Sequence, residues 1–281
     1  MKRAGTLFHG VIFDVDGVLV ASPHERAWRE SLQELMAAEW SDLAGASQYR
    51  PEGFTSLFYQ RFVAGKPRLS GAQAALEQFG VPDAEGRAIE YANQKQARLT
   101  DLIEGGEFAA FPDAVRFTVH LKSMGLRLAI ASSSKNSRGL LQQIDPYAGI
   151  HAVNSDGNNS VERSSLLDFF EVDVSGRDLP KGKPHPAIFL QAAEELHLQP
   201  GTCVVVEDAP SGVLAAKAGR MCALGVARAG DEALLLDAGA DLVVSSLDQV
   251  DLAAFAAGRL EALAGSDGET LKRSERAAAA T

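Results

Sequence analysis

Asp14 and Asp16 close the apolar run Val11, Ile12, Phe13, two residues apart, and Gly17 follows them. A strand that delivers carboxylates and then turns sharply has built a site, because carboxylates at a strand end cost desolvation unless a partner offsets it. The partner that suits them is a magnesium ion, with Asp14 as a nucleophile toward phosphorus. Alone, the segment could equally be a strand ending in a solvated Asp-Gly turn.

Three further polar clusters follow apolar or Gly- and Pro-rich stretches. Leu126 to Ala131 reads as a short strand, and Ser132, Ser133, Ser134, Lys135 and Asn136 come directly after it. The stretch Pro180 to Pro186 carries Lys181, Lys183 and His185, and the run Cys203 to Val206 ends in Glu207 and Asp208. Singly, these could be a helix cap, a solvated loop charge and another cap. Together they suit phosphoryl transfer, which requires positioning and neutralisation of spread negative charge. Magnesium held by Asp14, the Asp16 backbone carbonyl and Asp208 would supply one cation, and the Lys183 ammonium another. The Ser132 hydroxyl and nearby backbone N–H groups can donate to a phosphate at the start of the following helix.

The elements that position these clusters are legible in the periodicity. Ser22, Pro23 and Glu25 read as a cap, a first-turn proline and a capping-box acid, opening a helix with Trp28, Leu32, Leu35 and Met36 on one face. From there to about Phe108 only helical patterning appears, including Ala72 to Phe79 and Ala84 to Ile103. After Phe111 strands and helices alternate. Ala114, Phe117, Leu121 and Met124 form a helix stopped by Gly125, and a helix spans Ser137 to Ile144. An Asn-, Ser- and Gly-rich loop spans Asn154 to Ser165, with helices at Pro186 to Leu196 and Pro210 to Ala218. Strands are expected near Ala223 to Val226 and Leu242 to Val244, then a last helix over Leu252 to Leu263 and a frayed tail. The alternation predicts an α/β fold, a parallel sheet covered on both faces, with an inserted helical cap. The expected division is a core of residues 1–20 and 110–264, a cap of 21–109 and a flexible tail of 265–281. Ligands bind outside the carboxyl ends of the strands in such sheets, where all the polar clusters fall.

Composition narrows the class. The 281 residues are 46% hydrophobic and 23% charged, the balance of a globular protein with a sizeable core. A net charge of -10 argues against broad nucleic-acid binding. Cys203 and Cys222 are too few for a disulfide framework and read as small core residues in a reducing compartment. Met1-Lys2-Arg3 and the following apolar residues resemble an export signal, but Asp14 and Asp16 interrupt the stretch, and no segment is apolar enough to span a membrane. A cytoplasmic enzyme with a small-molecule partner is expected.

FDVDGVL, ASSSKN, GKPHP and VVVEDAPSG resemble the four motifs of the haloacid dehalogenase (HAD) superfamily, in order and in register, from about Gly10 to Asp248. The resemblance implies a Rossmann-like parallel sheet with a helical cap, and an aspartyl-phosphate intermediate. Position by position it makes Asp14 the nucleophile and Asp16 the general acid/base. Ser132, Ser133 and Lys183 become phosphate ligands, and Glu207 and Asp208 serve the metal beside Asp14 and Asp16. Asp16 has its own rationale, since its carbonyl can bind metal while its side chain faces the leaving oxygen.

Within the superfamily, His24-Glu25-Arg26-Ala27-Trp28 resembles the cap entry of the β-phosphoglucomutase branch, as does Ser132 to Asn136. Gly65-Lys66-Pro67-Arg68 resembles its cap loop. That resemblance implies that His24 helps position Asp16, that Arg68 and Lys95 grip a phosphate or sugar from the cap, and that Ser134, Lys135 and Asn136 contact substrate. Three departures bear on mutase activity: a shorter stretch from Gly17 to His24, Val20-Ala21-Ser22 in place of an acidic, hydroxyl-bearing segment, and Gly71 in place of a serine. The leading expectation is a magnesium-dependent phosphatase or phosphotransferase on a small phosphorylated sugar, with β-phosphoglucomutase as the alternative. A non-enzymatic phospho-acceptor switch would leave Asp16 and the helical cap without a role. A dinucleotide-binding oxidoreductase shares the sheet type, but no glycine fingerprint follows the first strand.

Overall fold

Strand β1 (Gly10–Phe13) is buried along its whole length, so its sequence is continuously apolar rather than alternating. The alternation survives in where its side chains go. Val11 and Phe13 join one hydrophobic cluster and Ile12 the other, on opposite faces of the sheet. Strand β6 (Cys203–Glu207) does the same, with Val204 and Val206 on one face and Cys203 and Val205 on the other. The computed structural model describes residues 7–43, 45–147, 164–265 and 271–272.

Seven strands form the main sheet in the order β5-β4-β1-β6-β7-β8-β9. Besides β1 and β6 these are β4 (Arg127–Ile130), β5 (Val172–Asp173), β7 (Cys222–Val226), β8 (Leu242–Val244) and β9 (Leu271–Lys272). All pair in parallel except β9, which runs antiparallel to β8. One face is covered by Phe117 and Leu121 of α5 (Pro112–Ser123), Leu140 of α6 (Ser137–Gln143) and Phe255 of α10 (Leu252–Ala256). The other is covered by Phe189 of α7 (Ala187–Glu195), Val213 of α8 (Pro210–Ala218) and Leu235 of α9 (Glu232–Asp237). This is the expected Rossmann-like core.

The cap-like region lies between two short antiparallel strands, β2 (Val20–Ala21) and β3 (Ala109–Ala110), which pair where the chain leaves and re-enters the core. Its helices are α1 (His24–Ala37), α2 (Ser56–Phe62), α3 (Arg68–Gln78) and α4 (Ala84–Glu104). They enclose a hydrophobic cluster of their own, with Trp28, Leu32, Trp40, Phe79 and Tyr91 at its centre.

Several expectations are corrected. Ser22 does not cap α1; Pro23 occupies that position without a side-chain bond, and the Ser22 hydroxyl is engaged elsewhere. Met124 lies beyond the end of α5 and is exposed. The last helix ends at Ala256, because Gly258 takes a positive φ and the chain returns for an isolated bridge between Val250 and Ala262. Leu271 and Lys272, placed in the tail by sequence, form β9. Most of the Asn154 to Ser165 loop, most of the tail and the first six residues lie outside the described residues. Among the described residues, no helix is long and apolar enough to cross a membrane.

Candidate active site

Parallel register brings the motifs to one level. Phe13 is flanked by Ile130 on β4 and Val206 on β6. The next residues out are therefore Asp14, Ala131 and Glu207, held by Asp14 N–H donating to the Val206 carbonyl (3.0 Å) and Ala131 N–H to that of Phe13 (2.8 Å). Ser132 follows one residue further. Gly17 completes the turn with φ +84°, and a Cβ there would lie 1.9 Å from Asp208 Oδ2. Only glycine fits both conditions.

Lys183 is buried and donates through Nζ to Asp14 Oδ1 and to Glu207 Oε1, each at 2.5 Å. Burial works against the ammonium, but the two carboxylates outweigh it and hold its pKa above the ordinary lysine value. The other oxygen of Glu207, Oε2, accepts from the N–H groups of Asp208 and Ala209, both at 3.1 Å, ahead of α8. Both Glu207 oxygens are thus taken by Lys183 and backbone. Asp208 is buried as well and accepts from Gln60 Nε2 at 3.3 Å. Burial, then the like charges of Glu207 and Asp14, push its pKa well above the usual carboxylate range.

Asp16 accepts from the Ser22 hydroxyl (2.6 Å), and His24 Nε2 lies 3.5 Å from the same oxygen. Burial raises the Asp16 pKa, partly opposed by Ser22. Lys95 Nζ is 3.0 Å from His24 Nδ1. With Lys95 as donor, the His24 proton sits on Nε2, facing Asp16. Burial, and then the Lys95 charge, lower the His24 pKa well below its usual value and keep the ring neutral. Lys95 is only 2% exposed; burial brings it down to about 7 against the pull of Asp16, and nearby Arg68 pushes the same way as burial.

These groups line a cavity of about 570 Å³ between core and cap. Asp14, Asp16, Ser132, Ser133, Ser134, Lys183 and Asp208 line it from the core, and His24, Arg68 and Lys95 from the cap; Lys135 lines it too. Arg68 is exposed at the start of α3, and Lys135 pairs with Asp178 (2.9 Å). Asn136 heads α6 and does not line the cavity. Glu207 lies behind the lining, fully buried. The Ser133 hydroxyl donates to the carbonyl of Gly65 (3.0 Å), so it holds the cap loop. The Ser211 hydroxyl holds the same loop through the Ala64 carbonyl (2.8 Å).

Sequence reasoning missed Ser22 as the partner of Asp16, and also Tyr59, which lines the cavity, Gln60 and Ser211. Tyr59 and Gln60 sit on a cap helix without a motif, and no local pattern announces a contact made 148 residues away.

Among the described residues no three His, Cys, Asp or Glu side chains gather as a ready-made metal cluster. Of the expected ligands, Glu207 has both oxygens engaged by Lys183 and backbone N–H groups, which leaves the side chains of Asp14 and Asp208 with the Asp16 carbonyl. Those groups fit a hard divalent cation, because the donors are all oxygen and Asp208 is a buried carboxylate without a cationic hydrogen-bond partner among the described residues.

A parallel sheet carrying these motifs at its carboxyl edge, under a helical cap, defines a class, and the comparisons agree with it. Residues 8–220 match the family model of haloacid dehalogenase-like hydrolases, and the chain belongs to that family. Its place is in the β-phosphoglucomutase-like branch. A β-phosphoglucomutase of Mycobacterium tuberculosis is 31% identical over 258 residues, covering 85% of this chain and 90% of the relative. Hexitol phosphatase A of Escherichia coli K12 is 30% identical over 244 residues, covering 86% and 92%. The crystal structure of an archaeal β-phosphoglucomutase from Pyrococcus sp. strain ST 04 aligns with a TM-score of 0.62 at 29% identity, over 89% of this chain and 99% of that one.

Proposed function

We propose that this chain is a magnesium-dependent phosphomonoester hydrolase or phosphotransferase acting on a small phosphorylated sugar, with Asp14 as nucleophile and Asp16 as general acid and base. The observation that carries the reading is the buried Lys183 bridge between Asp14 and Glu207, beside Asp16 on the floor of a capped cavity.

In the first step an Asp14 carboxylate oxygen bonds to phosphorus as the bond to the leaving oxygen breaks, and the Asp16 carboxyl proton passes to that oxygen. Lys183 keeps Asp14 oriented and offsets part of the charge between the carboxylate and the phosphoryl group. Ser132 and the N–H groups that follow β4 receive the phosphoryl oxygens. Glu207 fixes Lys183 and acts through it. Magnesium held by Asp14, Asp208 and the Asp16 carbonyl would supply further charge neutralisation at the phosphoryl group.

In hydrolysis the Asp16 carboxylate then takes a proton from water, the water oxygen bonds to phosphorus and the Asp14–phosphorus bond breaks. Inorganic phosphate leaves and Asp16 is again an acid. The Ser22 hydroxyl holds Asp16 for both transfers, with His24 Nε2 3.5 Å from the same oxygen. A second reading, β-phosphoglucomutase, is favoured by the two cap-side cations Arg68 and Lys95 on the same cavity, which suit a second phosphate. In that case a sugar hydroxyl takes the place of water.

The test is a phosphorus NMR time course with magnesium, β-glucose 1-phosphate and a trace of glucose 1,6-bisphosphate, with Asp14→Asn as control. Inorganic phosphate, absent with the variant, supports the hydrolase. Glucose 6-phosphate without phosphate release makes the chain a mutase. No glucose 6-phosphate, together with at most one phosphate released per chain from any phosphomonoester, would sink both readings in favour of a phospho-acceptor.

A further inference from the structure

Gln60 is a polar cap residue in an unusual place. Helix α2, capped by the Thr55 hydroxyl at Phe58 N–H (3.1 Å), delivers it to the core, where it is 7% exposed. Its Nε2 donates to Asp208 Oδ2 at 3.3 Å, and Asp208, unlike Asp14 and Glu207, accepts no hydrogen bond from Lys183. Its Oε1 is buried without a hydrogen-bond partner among the described residues. A buried amide oxygen left unpaired costs free energy that a donor would recover. Gln60 is not among the residues that line the cavity, whereas its partner Asp208 is. Lys183 is committed to Asp14 and Glu207. Magnesium typically keeps several waters, whose O–H groups are donors.

We infer that Gln60 is a positioning residue for the cation. Its N–H orients Asp208, and its orphaned carbonyl oxygen accepts from a water in the hydration shell of the bound ion. The inference rests on the proposed magnesium site. It also explains why the cap loop is pinned to the core at Ser133 and Ser211, since these contacts hold the C-terminal end of α2 in reach of Asp208. Cation affinity is then a property of the closed cap as well as of the core carboxylates.

The experiment is a Mn2+ titration of the full chain without substrate, followed by electron paramagnetic resonance, for wild type and Gln60→Met. Losing such an orienting contact weakens metal binding by about 10- to 100-fold. The expected result is a dissociation constant raised at least about tenfold, with a matching rise in the Mg2+ concentration that half-saturates turnover of acetyl phosphate. If Gln60→Met does not fold, as judged by circular dichroism, Gln60→Ala carries the same test. A variant that binds Mn2+ as wild type does, or that only melts earlier with its affinity unchanged, overturns the inference and leaves the metal reading standing. A wild-type chain that binds no Mn2+ overturns the metal reading, and the inference with it.

Discussion

The Ser22 hydroxyl donates to Asp16 across 2.6 Å, although the local sequence marks Ser22 as a helix cap. That bond favours the ionised form of Asp16, while burial favours the acid. Ser22 therefore sets how readily Asp16 moves between its acid and base forms. Ser22→Ala should raise the Asp16 pKa further, shifting the corresponding limb of the kcat/KM profile to higher pH. Turnover should fall by about one order of magnitude, less than the roughly 10²- to 10⁴-fold a placed acid/base group contributes, because Ser22 acts through Asp16. A pH–rate profile with a phosphomonoester checks this; an unmoved limb would remove Ser22 from the acid/base apparatus.

Lys183 is the cation of a buried three-charge group. Lys183→Met should leave Asp14 and Glu207 facing one another without it, costing about 3–5 kcal/mol of stability as well as activity. The loss should shrink as pH falls, because protonation relieves the two carboxylates, and burial already places Glu207 at about 7. Urea unfolding at several pH values is the measurement.

Lys95 gives a stability signature of opposite kind. Folded Lys95 releases its proton near pH 7, against 10.5 for an unperturbed lysine. Between those values the unfolded chain binds more protons, so wild-type stability should rise with pH through this window relative to Lys95→Met. The variant should be the more stable by several kcal/mol at about pH 6, with the difference vanishing above about pH 10.5. Paired denaturant titrations across that range would show the convergence; parallel curves would mean that Lys95 titrates normally.

Gly65 holds the cap loop at φ +72°, and a Cβ there would lie 2.4 Å from Ser211 Oγ and 3.0 Å from Ala209 Cβ. Gly65→Ala should prop the cap away from the core. The expected outcome is a kcat/KM lowered by at least about tenfold, since positioning contacts of this sort weigh heavily on rate. The core melting transition should move little, because the cap has its own hydrophobic cluster. Calorimetry beside steady-state kinetics separates the two effects.

Much of this molecule is written locally. The buried strands are unbroken apolar runs, the helices show their periodicity, and Asp14, Ser132 and Asp208 each stand directly after or within two residues of such a strand. Sequence alone therefore determined the parallel sheet, the helical insertion and the edge where the polar groups would meet, because strand ends and turn glycines are features of neighbouring residues. Which atoms meet at that edge was decided only in three dimensions. Lys183 reaches Asp14 across 169 positions, Glu207 is turned toward Lys183 and backbone, Ser133 holds the cap, and Gln60 touches Asp208. These pairings depend on sheet register and on how the cap seats on the core. Both arise from burying surfaces that are distant in sequence, so no local pattern of residue types encodes them.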